Sequence, residues 1–201
     1  MDPLETTRRS LHGVAELVLA GPQYRRSGRI RLRVTPGGFG TTLDPALRVD
    51  GAELVAGARR ISLSGRTFAE VARDAEVEPG APEGLYSDGS GVRVDEPIVL
   101  DFAVLETILS AYAAADAALR EFAPGEEPVL WPEHFDVAVT VDEVNYGVSP
   151  GDGYLPEPYA YVGPHRPRQG PFWNAPFGAA RPVRELGDLA EFFAEGRAAA
   201  A

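Results

Sequence analysis

Five side chains in the second half of the chain combine types and spacings that can do chemistry. His134 and Asp136 are two residues apart, so an extended backbone sets them on one face, about 7 Å from each other. The segment from Trp131 to Asp142 alternates. Phe135, Val137, Val139 and Val141 make one face, and His134, Asp136, Ala138 and Thr140 make the other. Downstream, Glu157, Tyr159 and Tyr161 share one face of a second predicted strand. Antiparallel pairing of the two strands would gather an imidazole, two carboxylates and two phenols on one polar face, a mixture suited to a small-molecule site. Asp136 would then orient His134 as a general base. Trp173, in Gly170-Pro-Phe-Trp-Asn174, is the aromatic expected to close the site. The competing reading of His134 and Asp136 is a strand-face ion pair with structural value only.

Other constellations are weaker. His134, Asp136 and His165 with Glu157 as base would fit the catalytic zinc pattern of three ligands and an open position. The chain has only 3 His, however, and Arg166 and Arg168 beside His165 oppose a cation. No metal and no cofactor is expected. Gly147-Val-Ser-Pro-Gly151 matches the nucleophile-elbow pattern, but Pro150 lacks the N–H that must form half of the oxyanion hole. Ser149-Pro-Gly-Asp152 therefore reads as a tight turn. Arg29, Arg31 and Arg33, with Arg25 and Arg26, could hold phosphate or carboxylate; pairing with acids of the same chain is the expectation. His12, four residues from both Arg8 and Glu16, reads as a helix-surface histidine.

Composition removes whole classes of function. The 201 residues include no Cys, which excludes disulfides, thiolate nucleophiles and iron–sulfur clusters. All 19 basic residues are Arg, which excludes Schiff-base chemistry and the phosphate lysine of a P-loop. Charge is uneven within a net −11: residues 1–66 hold 11 Arg against 6 acids, and residues 67–164 hold 3 against 20. That acidic middle would repel phosphate, so no nucleic-acid partner is expected. No segment shows the continuous apolar run of about 18 residues that a membrane span needs. With Asp2 and Glu5 where a signal peptide would be basic, the protein reads as cytoplasmic. The sequence leaves the oligomeric state open.

The elements that must position these groups follow from caps and periodicity. Asp2-Pro-Leu-Glu5 starts a helix, with Leu4, Leu11, Val14 and Val18 at helical spacing, and Gly21-Pro22 is the predicted stop. Residues 29–34 alternate as a strand, and Leu47–Val49, Glu53–Val55 around Asp50-Gly51, and Ile61–Leu63 continue an antiparallel meander. Thr67 and Glu70 form a capping box. Residues 77–96 are rich in Pro, Gly and acid and read as a loop or lobe boundary, mobile around Ser87-Asp-Gly-Ser-Gly91. The longest predicted helix covers about 98–123, and a last one starts at Asp188 with Gly196 as its C-cap. The expectation is one α+β domain over 1–201, with antiparallel sheet packed by helices on one face.

The strings WPEHFDVA (131–138), SPGD (149–152) and PEPYAYV (156–162) resemble an uncharacterised bacterial domain family that carries WPxHFDxA, SPGD and PEPYxYV. Leu11-His12 through Val34 is also similar to that family, although this chain is shorter between meander and long helix. The resemblance implies a fold and a site location, with no reaction attached. The expected function is a small-polar-ligand site lined by His134, Asp136, Glu157, Tyr159, Tyr161 and Trp173. The alternatives are a hydrolase or isomerase with His134 as base, with or without metal, and a protein-interaction module using the acidic 77–127 surface.

Overall fold

The first helix begins where its caps say. In a computed structural model describing residues 2–87 and 89–201, α1 (Pro3–Gly13) follows Asp2 with proline in its first turn. It does not stop at Gly21-Pro22. It widens into a π-helical segment, Val14–Ala20, and continues as α2 (Gly21–Ser27). The Gly21 N–H bonds Glu16 O, five residues back, and the wider turn accommodates the Pro22 ring, which sits where the next helical segment begins. Gly28 at φ 71° ends the run in the left-handed conformation.

The strands form a single ten-stranded antiparallel sheet in the order β10-β9-β8-β7-β6-β1-β2-β3-β4-β5. One meander comprises β1 (Leu32–Thr35), β2 (Gly38–Thr41), β3 (Leu47–Asp50), β4 (Glu53–Ala56) and β5 (Arg59–Ser62). The other comprises β6 (Val129–Trp131), β7 (Asp136–Val141), β8 (Val144–Ser149), β9 (Tyr159–Pro164) and β10 (Ala179–Pro182). The meanders join edge to edge at Leu32 opposite Leu130. Between them run α3 (Phe68–Asp74), with both halves of its capping box formed, and α4 (Phe102–Phe122). The chain ends with α5 (Leu189–Ala200), capped by the Asp188 carboxylate. The fold is α+β.

Pleating separates the sheet into two faces. Leu32, Phe39, Val49, Leu54 and Ile61 in one meander, and Leu130, Val137, Tyr146, Ala160 and Val162 in the other, are buried on the side covered by helices. Helix α4 supplies Leu105, Ile108, Tyr112 and Leu119 to that core. By length and composition α4 could cross a membrane, contrary to the sequence expectation that no segment reaches that mark, yet its apolar stripe is used to pack the sheet. Gly196 is no cap. It lies inside α5, where a Cβ would meet Val162 Cγ2 at 2.6 Å, so it is the point at which α5 touches β9.

Residues 77–96 contain no helix or strand among the described residues, and they are tied down across the first helix. Gly80 N–H donates to Leu17 O, Arg9 pairs with Glu96 at 2.7 Å, and Ser90 N–H donates to the buried Glu16 carboxylate at 2.9 Å. Asp88, part of the segment expected to be mobile, lies outside the described residues.

Candidate functional site

Trp131 to Asp142 is not one strand. The β6–β7 hairpin pairs Trp131 with Asp136, and residues 132–135 make its turn. Phe135 sits at φ 54°, a conformation a bulky residue adopts only when its surroundings compensate. Here they do. Its ring stacks on His12 with centroids 5.3 Å apart and meets Phe39 and Tyr112 edge-on at 5.5 and 5.4 Å. The Tyr112 hydroxyl donates to the Phe135 carbonyl. Burying this ring is worth about 1.5–3 kcal/mol, the same order as the backbone strain of about 1–3 kcal/mol. The turn moves His134 off the strand to the rim of a cavity and leaves Asp136 to begin β7.

Strands β7 and β9 do not pair with each other as expected: β8 lies between them, and the register through it builds the floor. Ala138 lies opposite Gly147, Gly147 opposite Tyr161, and Ser149 opposite Tyr159, so these residues share a face with Asp136. Tyr161 lies across Gly147, where a Cβ would come within 2.7 Å of its hydroxyl. Only a glycine there lets that hydroxyl reach Asp136, to whose Oδ2 it donates. Asp136 is 7% exposed, and its Oδ1 is buried with no hydrogen-bond partner among the described residues. Burial pushes its pKa up from 3.8, against the opposing effects of the Tyr161 hydrogen bond and of His134. Burial, with the Asp136 charge second, also raises the Tyr161 phenol well above its ordinary value.

The turn expected of SPGD lies further along: Ser149 ends β8, and the chain turns at Asp152–Leu155. Gly151 N–H donates to Ser149 Oγ at 3.2 Å. Asp152 Oδ1 accepts the Tyr154 and Leu155 N–H groups at 2.8 and 3.1 Å, and its Oδ2 accepts the Tyr159 hydroxyl at 2.6 Å. Both oxygens of Asp152 thus have partners, in contrast to Asp136.

Helix α1 closes one end of the cavity. Arg8 donates to Gly151 O, and His12 Nε2 lies 2.7 Å from Pro132 O. Burial lowers the His12 pKa from 6.5, the backbone contact to Pro132 opposing it, so the ring is neutral at neutral pH. At the other end His165 Nε2 stands 3.2 Å from Asn145 Oδ1, and Phe177 flanks the tyrosines. The enclosed volume is about 730 Å3. A larger hollow of about 1060 Å3 lies along Arg29, Arg31, Arg33 and Arg48. The unsatisfied buried carboxylate lies in the smaller one, which is why we place the site there.

Of the residues singled out by sequence, Asp136, Tyr159 and Tyr161 come together, with His134 at the rim. The His134 side chain is 64% exposed, and among the described residues its ion-pair partner is Glu133, at 3.9 Å, rather than Asp136. Glu157 lies outside the cavity in an ion pair with Arg184 at 2.6 Å, because it precedes β9 and so escapes its alternation. Trp173 packs edge-on against Phe172 at 5.0 Å, beside the core. Phe177 takes the flanking place instead. His12, read from sequence as a surface residue, is a wall of the site; the spacing of His12 from Arg8 put both on one helix face, but nothing local connected that face to Pro132 and Gly151. Among the described residues, no group of three or more His, Asp or Glu side chains is gathered around a common metal position.

Comparison with family models, curated proteins and solved structures finds no match to this chain.

Proposed function

We propose that the β7–β9 cavity binds a small polar organic molecule, with Asp136 as its anchoring acceptor. One observation carries this reading: a buried carboxylate with one oxygen held by Tyr161 and the other without a partner among the described residues, in a cavity large enough for a metabolite. An unsatisfied buried charge costs stability, and a ligand that donates to it recovers the loss. Further support is that WPEHFDVA, SPGD and PEPYAYV, separated in sequence, all contribute to this one cavity through Asp136, Ser149, Tyr159 and Tyr161. Membership in the family those strings resemble is part of the proposal, as is a cytoplasmic setting without a nucleic-acid partner.

A second reading, a hydrolase or isomerase with His134 as general base, draws on one fact: His134 lines the same cavity as Asp136. Saturation-transfer NMR with a panel of sugars, nucleosides, amino acids, carboxylates and amines tests the first. Binding should appear for at least one class, weaken in Asp136→Asn and Tyr161→Phe, and survive His134→Ala. A panel without a binder, or one whose binders ignore both Asp136 and Tyr161, would overturn it. Turnover of a bound compound that is lost in His134→Ala would favour the second.

A further inference from the structure

We propose that the ligand of this cavity is a small organic cation, an aliphatic or arylalkyl amine, held by the Asp136 carboxylate against the rings of Tyr159, Tyr161 and Phe177. The inference rests on the reading that the cavity binds a ligand at all, and it names the ligand class.

The first argument is the disposition of charge. No cationic side chain of the wall forms an ion pair with Asp136 among the described residues. Arg8 donates to Gly151 O, and Arg9 is bidentate to Glu96 at 2.7 and 3.3 Å. His12 is neutral, with Nε2 on the Pro132 carbonyl. None of these serves as counter-ion to Asp136. Asp152 accepts two N–H groups and a phenol. Asp136 Oδ1, on a floor residue, has no partner among the described residues, and Glu5 and Glu133 add negative charge at the edge, Glu133 lying 3.9 Å from His134 Nε2. An anionic ligand would be repelled by the buried carboxylate. A neutral alcohol could donate to Oδ1 but would leave the buried charge uncompensated, and only a cation both donates and neutralises.

The second argument is the wall material. Tyr161 and Phe177 meet at right angles with centroids 6.5 Å apart, and Tyr159 lies 6.4 Å from Phe177. Phe177 is 38% exposed, so these rings are not sealed against one another. Aromatic rings beside a buried carboxylate form the usual chemical setting for ammonium recognition.

Isothermal titration with three matched probes, phenethylamine, phenethyl alcohol and phenylpropanoate, tests this on the full chain. The amine should bind about tenfold or more tighter than the alcohol, a ratio expected of a charge-assisted contact, with the acid weakest. Asp136→Asn, which keeps the shape and can still accept from Tyr161, should remove the preference, and Phe177→Leu should weaken the amine without equalising the probes. An unchanged near-ultraviolet dichroism spectrum checks the fold of each variant. Amine binding should also fade as pH is lowered through the raised range of Asp136. The titratable and charged groups around it are Tyr159 and Tyr161 on β9, Tyr112 on α4, His134 and Glu133 in the turn, and Arg8 and His12 on α1; protonation of His12 repels the amine in the same direction.

Equal or tighter binding of the alcohol or the acid overturns the proposal, as does an amine preference that persists in Asp136→Asn. If those neutral or acidic binders depend on Asp136 and Tyr161, the binding-site reading stands and only the cation falls. If neither these probes nor the broader panel binds, both fall.

Discussion

Asp136 is a buried carboxylate: its Oδ2 accepts the Tyr161 hydroxyl, while its Oδ1 has no side-chain partner among the described residues. Desolvation dominates, so its native pKa is raised. The native state then holds the proton more tightly than the unfolded chain does, and stability falls as pH rises from the ordinary value of 3.8 through the raised one. Thermal melts of the wild type against Asp136→Asn, which cannot titrate, should show the wild type losing ground as pH increases across that interval and regaining it on acidification. His12 works the other way. Its pKa is lowered from 6.5 by burial, so its contribution is present above 6.5 and is lost as pH falls through the lowered native value. Relative to His12→Gln, the wild type should therefore melt progressively earlier below about pH 6.5. The residue types at the site were readable, since an alternating run with His, Asp and two Tyr is conspicuous. The departure of Glu157 and Trp173, and the arrival of His12 and Phe177, were not, because both depend on contacts between segments far apart in sequence.

At the scale of elements, glycines decide how closely parts approach. Gly196 allows α5 onto β9, and Gly196→Ala places a methyl 2.6 Å from Val162 Cγ2 and 3.2 Å from Phe172. Helix propensity alone would favour alanine by about 1 kcal/mol; overpacking against a branched side chain should reverse the sign and cost about 1–3 kcal/mol net, read by urea denaturation. Gly147→Ala puts its Cβ 2.7 Å from both Val137 O and the Tyr161 hydroxyl. Far-ultraviolet dichroism should stay sheet-like while Tyr161 is displaced from Asp136 and binding of the panel compounds is lost. Capping was legible in sequence: Thr67 with Glu70, and Asp188, start their helices as read, because caps are local chemistry. The stop at Gly21-Pro22 was misread because a π turn, set by the packing of Val14–Ala20, makes room for proline. The break at Phe135 was hidden for a related reason: alternation continued through the letters while a buried aromatic cluster reversed the chain.

On the scale of the whole molecule, charge is divided between regions that then pair. Arg9 with Glu96, Arg59 with Glu76, Arg66 with Asp74 and Arg197 with Asp142 join basic to acidic segments. All are surface pairs, and such pairs contribute little, whereas a net charge of −11 repels itself throughout. Raising sodium chloride from about 0.05 to 0.5 M screens both, so the melting temperature should hold or rise. A marked fall would show that the pairs matter more than their exposure implies. The sequence by itself settled what is written in short-range rules: no thiol or lysine chemistry, the helix starts at Pro3, Phe68 and Leu189, the strands β3 to β5, the α+β class. Tertiary structure alone decided that two meanders join at Leu32 and Leu130, that α1 walls the cavity, and that Asp136 rather than His134 lies buried at its centre. The physical reason is that pairing of distant strands and burial of a charge are set by what packs against each segment, and that information is distributed over the whole chain.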